Sequence, residues 1–215
     1  MGIITISRGS YSRGVELAEK LADKLGYERL SRELLLEASK EFNIPEVKLI
    51  NAVESAPSVF DHFKDGKKKY VAFITMAFLK HIQRDNVVYH GFAGHFFTRE
   101  IPNILKVRII ANLDYRVKVL MEREKVSEEK AHKLINKIDE ERRKWSQYLY
   151  GIDTNSIELY DVILQIDRLK VDGAVNFLYE LAICPCYQMT QESKKILNEL
   201  IETAKTYSIN SMTTD

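Results

Sequence analysis

A glycine-bearing loop near the start of the chain contains the first residues whose types and spacing could do chemistry. It follows an apolar, β-branched run at residues 3–6 and precedes a helical pattern, so it would join a buried strand to a helix. Backbone N–H groups and the helix dipole can hold a phosphate at such a junction. The glycines have the G-x-x-x-x-G spacing of a phosphate-binding P-loop. The predicted phosphate cradle consists of Arg8, Gly9, Ser10, Tyr11, Ser12, Arg13 and Gly14.

The two residues after this loop depart from the usual P-loop pattern. Val15 and Glu16 stand where a P-loop continues with Lys and then Ser or Thr. Arg8 or Arg13 could supply the missing cation, but a planar guanidinium does not reproduce a compact ammonium group, so transfer chemistry could be slowed or lost. Glu16 is a candidate magnesium ligand, or it only complements the helix dipole in the first turn. In the plainest alternative, the glycines supply only the backbone angles of a turn.

Alternating strand and helix patterns indicate the scaffold that must position this loop. Strand-like runs occur at residues 3–6, 86–90, 105–111 and 160–166, with a short one near 28–30. Helical patterns begin at Ser31, after Pro45, near residue 70 and at a capped start at Ser127, and a final helix covers about 190–206. Residues 55–69 are expected to form a mobile loop, and the tail from residue 208 is expected to be frayed. The whole pattern predicts an α/β fold with a mainly parallel sheet.

Composition limits the classes of protein to consider. The 215 residues are 45% hydrophobic and 29% charged, which is typical of a globular chain with one domain or one domain and an inserted subdomain. A net charge of +1 provides no overall field toward nucleic acid or an acidic membrane, so neither partner is expected. The longest apolar stretch, residues 70–79, is well short of the roughly 20 residues that cross a bilayer. The low cysteine content, Cys184 and Cys186, favours a cytoplasmic location.

Segments in both halves of the chain carry a family resemblance. They are residues 4–8, 12–14, 17–27 and 31–34 in the front half, and 116–124, 127–131, 139–143, 150–153 and 160–161 in the back half. Together they resemble the cytidylate kinase-like family of P-loop nucleoside monophosphate kinases, over residues 3 to about 183. The resemblance implies a five-stranded parallel sheet with helices on both faces, an acceptor-binding helical region at about 31–84 and an arginine-rich lid at about 125–155. Residues 1–186 would form the kinase-like domain, and residues 187–215 a helix and flexible tail.

The same resemblance implies an activity and a set of site residues. The donor would be ATP with Mg²⁺, and the acceptor a pyrimidine nucleoside monophosphate, CMP or dCMP. Arg142 and Arg143 would close over the transferring phosphoryl group, with Arg13 or Arg8 supplying charge at the loop. Arg32, Asp139 and Arg142 would bind the acceptor, and Arg116 and Arg123 are weaker candidates. The alternative for these charged residues is a solvated helix with local i,i+3 and i,i+4 ion pairs.

One departure from the family pattern keeps other functions open. Many monophosphate kinases carry an acid or an arginine after the strand at residues 86–90, but residues 89–95 read Tyr-His-Gly-Phe-Ala-Gly-His. Members of the family often lack the P-loop lysine, so the chain resembles an atypical branch with a degenerate P-loop. The alternatives are a regulatory nucleotide-binding module without phosphoryl transfer, or a kinase of another small molecule. The apolar stripe at residues 196–201 could dock on the domain or on a second copy in a homodimer.

Overall fold

A single five-stranded parallel sheet organises the part of the chain that the computed structural model describes, residues 2–31, 33–54, 64–91 and 93–212. Its strands are β1 (Ile3–Arg8), β2 (Glu28–Leu30), β3 (Val87–His90), β4 (Leu105–Ile110) and β5 (Val162–Gln165), in the order β2-β3-β1-β4-β5. Ile6 of the central strand is in register with His90 on one side and Val107 on the other. The runs rich in Ile and Val suit such strands because both faces of a parallel sheet are buried. The predicted five-stranded sheet is confirmed.

Helices cover both faces of this sheet. They are α1 (Gly14–Leu25), α2 (Glu33–Phe42), α3 (Glu46–Glu54), α4 (Lys64–Ile82), α5 (Gly94–Phe97), α6 (Leu113–Glu124), α7 (Glu128–Tyr150), α8 (Ile166–Ala182) and α9 (Gln191–Met212). One core cluster joins α1 and α8 to the face that carries Ile4 and Ile6. The other joins α2, α4, α5 and α9 to the opposite face. The two faces therefore have separate apolar cores, each built from a different set of helices.

Helix α4 begins earlier than the sequence pattern predicts. It starts at Lys64, inside the stretch expected to be a loop, whereas residues 55–63 lie outside the described part of the chain. Gly66 costs a helix only about 1 kcal/mol relative to alanine, and lysines are good helix formers, so neither feature stops the helix. Within the described residues, no helix is both long enough and apolar enough to cross a membrane.

The final helix docks on the body of its own chain. Leu197 and Ile201 of α9 are buried in the same cluster as residues of α4. The side-chain amide of Gln83 also donates a 2.7 Å hydrogen bond to Asn198 Oδ1. The helix continues to Met212, past the point where fraying was expected. The apolar stripe of α9 was expected to dock either on the domain or on a second copy of the chain, and the structure shows it docked on the domain.

Candidate functional site

A cavity of about 200 Å³ opens at the carboxyl ends of β1, β3 and β4. Residues at the end of β1, in the turn after β3, at the end of β4, on α7 and at positions 154–155 form its walls. Ligands of open α/β sheets bind at this edge, where the strands point toward connecting loops. The architecture therefore places the glycine-bearing loop beside the most favourable position for a ligand.

Four arginines and one carboxylate give this cavity its charge. Arg8, Arg108, Arg116 and Arg142 line it together with Asp139, the one carboxylate among the described lining residues. The whole chain has a net charge of only +1, so this excess of positive charge is local. Arginine forks match the geometry of phosphate oxygens. The cavity is therefore suited to a ligand that carries several negative charges.

The loop from Gly9 to Arg13 is closed by hydrogen bonds from Ser12. Its backbone N–H and its hydroxyl donate to Gly9 O, at 3.4 and 2.9 Å. Tyr11 and Arg13 both have a φ of 56°, in the left-handed region that non-glycine residues rarely adopt. Each such residue costs on the order of 1 kcal/mol, and strain of this kind clusters at ligand-binding positions. Helix α1 then begins at Gly14, so its first N–H groups lie next to the loop.

The side chain of Arg8 passes over the start of α1 at Gly14. A Cβ atom at Gly14 would lie 2.8 Å from Arg8 Cβ and 2.9 Å from Arg8 Cδ, so only glycine leaves room for this path. Burial lowers the pKa of Arg8, and its buried Nε has no hydrogen-bond partner among the described residues. A cation at the positive end of a helix dipole is repelled unless an anion lies nearby. The arrangement therefore favours an anion at this end of the cavity.

Asp139 links helix α7 to the loop. Its Oδ1 accepts from the Ser10 hydroxyl at 2.7 Å and from the Ser10 backbone N–H at 3.4 Å, and its Oδ2 accepts from Arg116 at 2.6 Å. Arg116, on α6, also donates to the carbonyl oxygen and hydroxyl of Ser10. The carboxylate of Asp139 thus accepts a hydrogen bond from a loop N–H group that could otherwise bind a phosphate.

Arg142 makes a second link between α7 and the loop. Its Nη1 donates to the backbone carbonyl of Arg8 at 2.9 Å. Burial, and then the nearby charge of Arg8, lower the pKa of Arg142 to about 10. The guanidinium is still charged at neutral pH, although its surroundings make that charge costly. A bound anion would relieve the cost.

Arg108 is a cavity residue that the sequence analysis did not identify. It lies in the middle of β4, is only 8% exposed, and donates hydrogen bonds to Ser7 Oγ, Tyr160 OH and Asn155 Oδ1. The sequence did hold a signal, because a charged residue inside an apolar parallel strand is unusual unless it has partners or a function.

Comparisons with known proteins agree with the fold and the site described above. The model of the cytidylate kinase-like family matches residues 3–168. The chain belongs to that family. A cytidylate kinase of Methanosarcina acetivorans is 27% identical over 168 residues, covering 77% of this chain and 87% of the relative. A cytidylate kinase of Saccharolobus islandicus is 26% identical over 177 residues, covering 82% and 88%. The solved structure of an uncharacterized protein from Eubacterium ventriosum is 25% identical with a TM-score of 0.64, and covers 83% of this chain and 96% of that one.

Four residues expected to act in the site are absent from the cavity lining or lie outside the described residues. Arg13 pairs with Glu16 at 2.6 Å, and both residues are absent from the cavity lining. Arg143 pairs with Glu140 at 2.8 Å on the exposed side of α7. Arg32 lies outside the described residues. Of the residues predicted for the site from the loop spacing or the family resemblance, the cavity brings together Arg8, Gly9, Arg116, Asp139 and Arg142, with Ser10 bonded to Asp139.

The described residues contain no closed magnesium site. Glu16 is held by Arg13 and by Lys20, the latter at 3.5 Å, and no cluster of three or more His, Cys, Asp or Glu side chains in the described ranges could hold a metal. Magnesium in kinases is held by one or two carboxylates together with substrate phosphates and waters. In a site of that kind the nucleotide phosphates and waters would supply most of the ligands, and Asp139 is the one carboxylate among the described residues that line the cavity.

The turn after β3 shows what replaces the charged residue that many monophosphate kinases have there. A Cβ atom at Gly91 would lie 2.5 Å from the hydroxyl oxygen of Tyr89, and one at Gly94 would lie 2.5 Å from the same ring. The tyrosine ring thus occupies the space beside both glycines. Two histidines flank it, and burial lowers the pKa of His90 to about 4 and that of His95 to about 3. This side of the cavity is neutral at physiological pH, and the positive charge comes from the arginines.

Proposed function

We propose that this family member transfers the γ-phosphoryl group of ATP to a pyrimidine nucleoside monophosphate, with CMP or dCMP as the expected acceptor. The observation that carries the proposal is the set of four arginines facing one carboxylate at the carboxyl ends of the strands. Two nucleotides bring several negative charges to one place, and this cavity supplies the matching positive charge. Membership of the cytidylate kinase-like family and the curated relatives named cytidylate kinase support the acceptor class.

The chain's own residues would act by positioning and charge stabilisation, which provide most of the catalysis in phosphoryl transfer. Arg8 and the free N–H groups at the start of α1 would bind donor phosphates. Arg142 would neutralise the transferring group while its bond to Arg8 O keeps α7 at the loop. The bond between the γ-phosphorus and the β,γ-bridging oxygen of ATP would break, and a bond between the γ-phosphorus and a phosphate oxygen of the acceptor would form. Magnesium bound with ATP supplies further charge neutralisation.

Asp139 and Arg116 would position the loop in this scheme. Their contacts to Ser10 fix the backbone that carries the cradle N–H groups. The acceptor-binding roles expected for Asp139 and Arg32 stay predictions. The catalytic roles expected for Arg13 and Arg143 and the magnesium role expected for Glu16 also stay predictions, and each of these residues forms a local ion pair in this structure.

The test is ADP release by the purified protein with ATP and magnesium, comparing CMP, dCMP, UMP and AMP with no acceptor. We expect turnover only with a pyrimidine acceptor. Arg142→Ala should lower kcat/KM by about 10²-fold, the usual cost of losing one preorganised charge-stabilising group. Lys144→Ala is the matched control, because Lys144 lies on the same helix with a side chain 62% exposed. Equal losses in the two variants would contradict the role of Arg142.

The regulatory module is the second candidate, and the missing P-loop lysine favours it. Here the cavity would bind a nucleotide without transferring its phosphoryl group. Titration of ATP with and without magnesium separates the two, because an enzyme is expected to bind the magnesium complex more tightly. Binding without acceptor-dependent ADP release would favour the module. Phosphorylation of a different small molecule, with CMP untouched, would favour the third alternative.

A further inference from the structure

Arg108 differs from the other cavity arginines in its partners. Its three hydrogen bonds go to neutral oxygen atoms, those of the Ser7 hydroxyl at 3.0 Å, the Tyr160 hydroxyl at 3.2 Å and the Asn155 side-chain amide. Among the described residues, no carboxylate lies within ion-pair distance of it. Its side chain also lies over the ring of Tyr160, 5.4 Å from the centroid.

A buried guanidinium without a carboxylate partner is expensive to maintain. Removing a full charge from water costs several kcal/mol, and neutral hydrogen bonds repay only part of that cost. Three neutral acceptors do not by themselves require a charged donor. The charge itself therefore requires an explanation beyond packing.

The position of Arg108 connects the root of the loop to the segment that follows α7. Ser7 immediately precedes Arg8, and register pairs Ser7 with Arg108 across β1 and β4. Asn155 lies in the segment between α7 and β5, and Tyr160 OH also donates to the Thr154 carbonyl at 2.7 Å. Arg108 lines the cavity at this junction, and three of the five N–H donors of a guanidinium are enough for its protein partners.

The positive field of Arg108 reaches the neighbouring cavity groups. Its charge contributes to the lowered pKa of His95, after burial, and to that of Arg142, after burial and Arg8. Asp139, the one carboxylate among the described lining residues, is bonded to Ser10 and Arg116 and does not pair with Arg108. A ligand phosphate would supply a countercharge for Arg108.

We propose that Arg108 is a further substrate-binding residue of this site, which binds a nucleotide phosphate at the inner end of the cavity with its remaining N–H donors. The inference deepens the proposed function and rests on it. Through Ser7 and Asn155, the same side chain also holds the loop and the segment behind α7 in one arrangement. The phosphate belongs either to the donor or to the acceptor, and separate titrations distinguish the two.

The test measures binding of ATP, CMP and inorganic pyrophosphate by calorimetry in the full-length chain. Arg108→Gln keeps hydrogen bonding but removes the charge, and it should raise the dissociation constant of at least one of these ligands by about tenfold or more. A loss confined to CMP assigns the phosphate to the acceptor, and a loss for ATP and pyrophosphate assigns it to the donor. Arg108→Lys should recover part of the loss. Arg168→Gln, at an exposed position of α8, is the control and should bind as the parent protein does.

Tyr160→Phe separates binding from packing, because it removes a neutral partner and leaves the charge of Arg108 in place. We expect its affinities to stay within about twofold of the parent values, because the charge and the remaining N–H donors of Arg108 stay in place. Unchanged affinities in folded Arg108→Gln would overturn the proposal, as would an equal loss in Tyr160→Phe. If Arg108→Gln does not fold, Arg108→Lys decides instead, because lysine keeps the charge but lacks the guanidinium N–H fork and should bind at least one ligand more weakly than the parent; parent-like affinity for all three ligands would then overturn the proposal. Failure of the proposed function is a separate result, namely parent protein that binds nucleotides but releases no acceptor-dependent ADP.

Discussion

Neutralising Asp139 should weaken the fold and strengthen anion binding at the same time. The carboxylate accepts from Ser10 and from Arg116 at 2.6 Å, and the side chains of Asp139 and Arg116 are 35% and 13% exposed. Breaking a fully buried pair costs about 3–5 kcal/mol, but solvent screens this half-buried one, so we expect Asp139→Asn to lose about 1–2 kcal/mol of unfolding free energy. For a chain of this size, that corresponds to a fall in Tm of roughly 2–8 °C.

The expected gain in anion binding also comes from the loss of the Asp139 charge. Asp139→Asn removes a negative charge beside the loop N–H group of Ser10, and that charge belongs to the one carboxylate among the described residues that line the cavity. At about 5 Å and an effective dielectric constant near 20, one charge pair is worth about 3 kcal/mol, and solvent screening reduces this to about 1–2 kcal/mol. Pyrophosphate and magnesium-free ATP should therefore bind about five- to thirtyfold more tightly.

Calorimetric titration and thermal unfolding of the same samples test both parts. Glu140→Gln is the control, because Glu140 is the next residue on α7 but pairs with Arg143 outside the cavity. We expect it to leave the affinity and the melting temperature close to the parent values. Weaker pyrophosphate binding in Asp139→Asn would refute the reasoning, because the positioning of the loop by the carboxylate would then outweigh its repulsion of the anion.

Three further predictions concern the loop, the core and acid stability. Gly14→Ala should weaken pyrophosphate binding several-fold without unfolding the chain, because the new Cβ would displace Arg8, which lies 2.8 Å away; calorimetry and circular dichroism measure the two effects. Phe78→Ala should cost about 3–5 kcal/mol in urea unfolding, since this α4 residue is fully buried. His95 has a folded-state pKa of about 3, so the unfolded chain takes up a proton first as pH falls below about 6.5. The free energy of unfolding should therefore fall by about 1–2 kcal/mol between pH 6.5 and pH 5, and it should fall less in His95→Gln.

The strands could be predicted from sequence because their residues are buried on both faces. Each of the five strand patterns corresponds to a strand within a few residues, including the short β2. Helix α4 was harder to predict, because a glycine and three adjacent lysines are compatible with either a loop or the first turns of a helix.

Local ion pairs explain why the site could be predicted only in part. Arg13 with Glu16 and Arg143 with Glu140 are both i,i+3 pairs, so the same residues are compatible with a catalytic site or with a solvated helix. Which face of α7 meets the loop is decided by packing against other elements such as α6, and that packing brings Asp139 and Arg142 to the loop. Arg108 could not be assigned a role because its partners Ser7 and Asn155 are 101 and 47 residues away along the chain.

The contact of Tyr89 with Gly91 and Gly94 restricts the order in which substitutions can be introduced at these three positions. With the ring in place, any side chain at either glycine meets it at 2.5 Å, so an acid or arginine introduced there alone should disrupt the turn. At Gly91 the same substitution should become acceptable once residue 89 is small, whereas at Gly94 a Cβ atom would still lie 3.3 Å from Thr5 Cβ. The three positions are therefore epistatic, and a route toward the commoner monophosphate-kinase pattern has to begin by replacing the tyrosine.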